Sequence, residues 1–188
     1  MKAVLISIQP KWCELIASGK KTVEVRKTRP KIDVPFKCYI YCTQNTPYNP
    51  LIIMKYEKEG GNIYIGGKRY AEFLTSRVIG EFVCDKVVQF ENDCYTPAFQ
   101  ETADLSCVGY KGLYDYLGAK EYGYGWHITD LLIYDKPKEL SEFLIDCKCC
   151  SKKLVGDPNC WQGCVNGYRR LTRPPQSWCY CEELKGEK

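Results

Sequence analysis

Apolar positions along the first forty residues change their period as the chain proceeds. Val4, Leu5, Ile6 and Ile8 form a short apolar run that reads as a strand. After Pro10, a residue suited to a first helical turn, Trp12, Leu15 and Ile16 recur at helical spacing, and Gly19 stands where a left-handed C-terminal cap is expected. Thr22, Glu24 and Arg26 then alternate with Val23 and Val25, so a strand here buries the two valines and sets the carboxylate and the guanidinium on its other face. Spacing alone describes that other face as a solvated edge with an exposed ion pair. Lys27 to Pro35 carries two prolines and reads as a loop, and Phe36 to Thr43 is a strand rich in aromatic and β-branched residues.

Gln44 to Tyr70, with Pro47, Pro50 and two Gly-Gly pairs, predicts hairpins or a mobile loop, with Asn62 to Ile65 as one arm. Ser76 to Phe90 is a long β signal that could bend at Gly80 and serve two layers of a small barrel. Asn92 to Thr102 reads as irregular, Gly112 to Leu117 as a short helix, and Lys120 to Gly125 as a glycine-rich approach to a strand from Trp126 to Tyr134. Strands outnumber helices and are spaced by turns. That pattern favours an α+β fold, a small mixed β-barrel with short peripheral helices, over a doubly wound sheet.

Composition narrows this picture modestly. A chain of 188 residues fits one domain with an appendage. Its net charge of +4 and pI of about 8.3 permit a nucleic-acid partner without demanding one. Fifteen tyrosines and four tryptophans supply rings that stack on bases or pack in strands. The apolar run at the N-terminus is too short for a signal peptide, and no stretch approaches the ~20 apolar residues of a membrane span, so a cytoplasmic location and no membrane partner are expected. In that reducing compartment thirteen cysteines read as buried thiols or metal ligands rather than as a disulfide framework.

From Asp146 the composition shifts, with five cysteines in the 18 residues from Cys147 to Cys164. Cys147 with Cys150, and Cys160 with Cys164, are two chelating pairs nine residues apart, a spacing that suits a structural four-thiolate zinc site. Cys149 in place of either member of the first pair is an alternative set, and free thiols or an oxidised pair or cluster are the other readings. Cys179 and Cys181, two apart in an extended run, read as core thiols. Tyr168, Arg169, Arg170 and Arg173 make the locally most basic stretch, a candidate second nucleic-acid contact or a solvated loop closing onto the barrel. His127, the one histidine, is either a hydrogen-bonded structural residue or a cleft residue.

Gly19-x-Lys21-x-x-Glu24-x-Arg26, preceded by Ile6-Ser7-Ile8-Gln9-Pro10 and a helix, resembles the signature of the ASCH domain, a member of the PUA-like β-barrel superfamily. The resemblance weakens after Arg29 and returns near Gly125 to Ile128. It implies an ASCH domain over residues 1–135 and a C-terminal extension over 136–188, holding a cysteine-rich loop (147–164) and a last strand that returns to the barrel. Arg173-Pro174-Pro175-Gln176-Ser177-Trp178-Cys179-Tyr180 looks like the tail of longer ASCH proteins of phages and anaerobic Gram-positive bacteria.

The resemblance also implies function. ASCH domains have been assigned RNA-related roles, and a few members are ribonucleases or amidohydrolases of acylated pyrimidine nucleosides. It points to Lys21 as catalytic or phosphate-facing, Glu24 and Arg26 as its neighbours, and Glu121 or Glu101 as a second carboxylate. The small amidohydrolases carry threonine where this chain has Glu24, a departure that argues against carrying their mechanism over unchanged. Three readings follow. The first is RNA or nucleotide binding, with Lys20, Lys21, Arg26, His127, Arg169 and Arg170 as contacts. The second is a hydrolase using Lys21, Glu24 and Glu121 in the same cleft. The third is a protein-interaction module presenting the cysteine-rich loop.

Overall fold

From Ala3 to Ile8 every residue of strand β1 (Lys2–Ile8) is buried, which requires both faces of its sheet to be covered. The computed structural model describes residues 1–43, 63–65, 68–70, 76–147, 164 and 167–184. Helix α1 (Pro10–Ala17) opens on its proline and ends before Gly19, whose φ of +73° is the left-handed conformation expected of a cap. The short strand β2 (Val23–Arg26) follows, and the chain then crosses over to β3 (Phe36–Cys42), which runs parallel to β1. β4 (Ile63–Ile65) and β5 (Lys68–Tyr70) pair antiparallel; the rest of the expected hairpin region, 44–62 with Asn62 included, lies outside the described residues.

The expected long strand from Ser76 to Phe90 is two strands, β6 (Arg77–Cys84) and β7 (Val87–Glu91), in different sheets. The change of layer falls at Asp85-Lys86. At Gly80 there is instead a close approach: a Cβ there would lie 2.5 Å from the Leu132 carbonyl oxygen. Residues 92–102, read as irregular, contain the start of α2 (Pro97–Leu105), where the Thr96 hydroxyl accepts the Phe99 N–H at 3.4 Å and Pro97 fills the first turn. Helix α3 (Tyr110–Leu117) follows.

The strand expected from Trp126 to Tyr134 is likewise two, β8 (Tyr122–His127) and β9 (Thr129–Lys138), parted at Ile128. Its glycine-rich approach belongs to β8. The chain closes with β10 (Leu144–Asp146), β11 (Tyr168–Arg170) and β12 (Trp178–Glu182).

The main sheet has the order β12-β1-β3-β6-β9, and a second sheet the order β2-β8-β7. Among the described residues these sheets do not close into a barrel, which corrects that part of the expectation; the mixed α+β class with short helices holds. The two strand breaks lie side by side, with the His127 N–H donating to the Lys86 carbonyl at 2.9 Å, so both chains leave one sheet for the other together and each sheet keeps its edges. One core lies between the main sheet and α1, with Ile6, Ile40, Phe82 and Trp126 at 0% exposure, and a second covers the opposite face with Leu5, Tyr39 and Phe143. A third packs α2 and α3 on β2 and β7 through Val25, Phe90, Phe99 and Leu117.

Two glycines separate packing from backbone strain. Gly80→Ala drives a methyl into the β9 backbone and is expected to cost about 3 kcal/mol, the upper end for overpacking. Gly19→Ala has open space and strains φ alone, for about 1–2 kcal/mol. Denaturant titration of both variants measures the order, and an equal cost would contradict it.

Candidate functional site

The motif strand lies between the second sheet's helices and the end of β1, so both of its faces are covered. Val25 enters the core beneath α2 and α3, as alternation predicts. The opposite face is no solvated edge: Lys21, Glu24 and Arg26 are 2%, 6% and 7% exposed. Glu24 Oε2 lies 3.2 Å from Lys21 Nζ, and Oε1 lies 2.9 Å from Arg26 Nη2. The Lys21 ammonium also donates to the carbonyls of Val23 at 2.9 Å and Ser106 at 2.8 Å. Arg26 donates to the Ser7 carbonyl at 2.6 Å and to the Ser177 hydroxyl at 3.3 Å, while its Nε is buried with no partner among the described residues. Behind this triad burial, with Cys42 and Glu24 close by, pushes the Cys13 thiol well up, so α1 meets the charges with a neutral group.

The triad forms the floor of a cleft of about 930 Å³. Its lining includes four cations, Lys11, Lys21, Arg26 and Lys27, against the one carboxylate of Glu24. One rim is the start of α1, where Lys11 Nζ lies 4.2 Å from the Trp12 ring centre. The facing rim is α3, where Tyr116 is 39% exposed and carries Lys27 Nζ at 5.1 Å. Burial holds the Tyr116 phenol above its ordinary range, so it stays neutral. The third wall is the segment from Pro174 to Ser177, held by the Ser7 N–H on the Ser177 carbonyl at 2.9 Å and the Ser7 hydroxyl on the Pro175 carbonyl at 2.6 Å. Gln9, Thr28, Thr43 and Gln176 add hydrogen-bonding groups around the opening.

The other residues singled out in the sequence fall elsewhere. Lys20 is exposed and does not line the cleft. Glu121 is exposed in the turn before β8, beside a separate shallow depression, and Glu101 is exposed on α2; neither joins the triad. His127 Nδ1 pairs with Asp85 Oδ1 at 2.8 Å at the point where the strands change sheets, and that hydrogen bond holds the Asp85 carboxyl below its ordinary range. Arg169 and Arg170 lie on β11, where Arg170 donates to the Ser141 carbonyl at 2.7 Å, away from the cleft lining. Cys147 and Cys164 are both buried and pack against one another, whereas Cys149, Cys150 and Cys160 lie outside the described residues. Among the described residues no group of three or more metal-ligating side chains occurs. Cys181 is buried, and burial pushes the Cys179 thiol to about 11.

Lys11, Trp12, Tyr116 and the Pro174–Ser177 wall were not singled out as site residues from the sequence. A lysine next to a tryptophan at a helix start was the available signal.

The family model of the ASCH domain matches residues 6–137, and the chain belongs to that family. Membership in this PUA-like family supports a general nucleic-acid-binding role. Among solved structures the chain is similar to ASCH from Zymomonas mobilis, with 18% identity over 96% of this chain and 88% of that one and a TM-score of 0.57. A serine-to-alanine mutant of that protein aligns at 18% identity, covering 96% of this chain and 89% of that one, with a TM-score of 0.56. A tyrosine-to-phenylalanine mutant aligns at 17%, over 97% and 92%, with a TM-score of 0.52. At these identities the likeness is one of fold. No curated protein matches the chain. No helix among the described residues is long and apolar enough to cross a membrane.

The triad makes a stability prediction that an exposed ion pair would not. Glu24→Ala leaves two buried cations without their counter-charge and is expected to cost about 3–5 kcal/mol. Chemical denaturation measures it, and a loss within the ~0–1 kcal/mol of surface pairs would show that the triad is solvated.

Proposed function

We propose that the protein binds single-stranded RNA or a nucleotide in this cleft, with bases on Trp12 and Tyr116 and phosphate on Lys11 and Lys27. The observation that carries the reading is the pairing of each rim aromatic with a lysine that has no carboxylate partner among the described residues. A flat ring beside a free ammonium suits an unstacked base followed by its phosphate. The floor beneath adds fixed positive potential without presenting a loose charge.

Binding is better supported than turnover by the contacts of the motif itself. Lys21 donates to two backbone carbonyls and lies 3.2 Å from Glu24, and each oxygen of Glu24 faces a cation, so both groups are engaged within the floor. The hydrolase alternative rests on the family resemblance, and Glu121, its second carboxylate, lies outside the cleft. The cysteine-rich loop serves this reading as a structural element. We assign it one zinc ion on Cys147, Cys150, Cys160 and Cys164, supported by the packing of its first and last cysteines.

Fluorescence anisotropy with a labelled single-stranded RNA tests the cleft. Trp12→Ala and Tyr116→Ala should each weaken binding by about 1–3 kcal/mol, roughly 5- to 150-fold, and Lys27→Ala should also lower the salt dependence. Unchanged affinity in all three variants would overturn the assignment, and a shortened RNA on a gel would overturn binding without turnover. Native mass spectrometry should find one zinc per chain, lost in Cys164→Ser; a metal-free native chain would overturn the zinc assignment.

A further inference from the structure

Beside the cleft lies a second basin of about 540 Å³, formed by the loop from Lys27 to Asp33 with Tyr124. Lys27 and Thr28 line both, so the two depressions adjoin. The basin holds Lys27, Arg29 and Lys31 against the single carboxylate of Asp33. None of these three cations has a carboxylate partner among the described residues. Lys2, Arg77, Lys111 and Lys138, by contrast, each face an acid within 4 Å, while Lys11 on the cleft rim is unpaired like the three cations of this loop. Arg29 donates one Nε–H to the Pro30 carbonyl at 3.3 Å, which leaves its terminal fork open.

The loop is also held in place. The Lys31 N–H donates to the Tyr180 hydroxyl at 2.6 Å, the Trp178 indole donates to the Thr28 hydroxyl at 3.1 Å, and Pro30 is buried. The cations are therefore presented on a backbone anchored to β12, which lowers the ordering cost of binding. They recur at every second residue, no more than about 7 Å apart along the chain. A row of fixed, unpaired cations at short regular intervals suits a repeating anion. A free nucleoside would leave it unused.

We infer that this basin is a second subsite, which takes the neighbouring phosphodiester of a single-stranded nucleic acid whose base occupies the cleft, so that the ligand is an oligomer rather than a free nucleoside. The inference rests on the cleft reading above. Within it, the chain of the ligand passes over Lys27 and Thr28, with its next phosphate between Arg29 and Lys31. Tyr124, half-buried behind them, closes the basin from the side of β8.

The test compares a 5′-mononucleotide, a hexanucleotide RNA and inorganic polyphosphate of matched charge, titrated into the wild-type protein and into the Arg29→Ala/Lys31→Ala double variant. Both side chains are exposed, and thermal melts of the two proteins should coincide. The wild type should bind the hexanucleotide about tenfold or more tightly than the mononucleotide. The double variant should lose that gain, keep its mononucleotide affinity, and show a salt slope for the oligomer lower by about 0.7, for the one phosphate held between the two side chains. A double variant that binds the oligomer like wild type, or a wild type that binds both ligands equally, would overturn the subsite and leave the cleft reading standing. Polyphosphate showing the same gain and loss as RNA would overturn the assignment to a nucleic acid. If neither nucleotide nor oligomer binds the wild type, the cleft reading falls and the subsite with it.

Discussion

Glu24 accepts Lys21 through one carboxylate oxygen and Arg26 through the other, in a space almost closed to water. Those two cations in turn hold backbone carbonyls from distant parts of the chain: Ser106 after α2 on one side, and Ser7 in β1 on the other. Arg26 also reaches Ser177, 151 residues further on. One shared carboxylate thus fixes how the second sheet, the helical layer, the first strand and the C-terminal segment meet. Neutralising it would strand two buried charges at that junction, where their desolvation has already been incurred. The cleft exists because these four parts are held at that separation.

This arrangement divides labour between residues that a motif places side by side. The charges of Gly19-x-Lys21-x-x-Glu24-x-Arg26 are held by one another and by backbone carbonyls, so they set the shape and background potential of the site. The groups open to a ligand are Lys11, Trp12, Lys27 and Tyr116 on the rims, and Arg29 and Lys31 beyond them. Truncating Lys21 or Arg26 would disturb the junction as well as any ligand contact, and loss of function in such variants reports on both. Substitutions of the exposed rim lysines Lys11 and Lys27 leave the junction in place.

Local order along the chain was legible where local physics decides it. Pro10 and Gly19 bound α1, and Val25 enters the core where alternation places it. The breaks at Asp85-Lys86 and at Ile128 were not: Ile128 is itself a strand former, the single charged pair Asp85-Lys86 is flanked by strand formers on both sides, and the meeting of two sheets decides where each break falls. α2 was hidden by the asparagine, aspartate and cysteine before it, although Thr96-Pro97 is a helix start. The burial of Glu24 and Arg26 was invisible for a related reason: the strand's polar face is covered by Ser7 and Trp12 of the preceding strand and helix and by the remote Ser177, and alternation within the strand does not show what packs on it. β12 pairs with β1 from Glu182 opposite Lys2 to Trp178 opposite Ile6, and it brings the Pro174–Ser177 wall with it.

The central claim, that the rim and not the buried triad meets the ligand, is tested most directly by the indole N–H resonances of the protein as a short single-stranded RNA is added. Trp12 stands on the rim and Trp126 lies at 0% exposure in the core below. The account predicts that the Trp12 signal moves with RNA concentration and saturates while that of Trp126 stays in place. A Trp12 signal that does not move while RNA binds would put the ligand elsewhere on the surface and contradict the account.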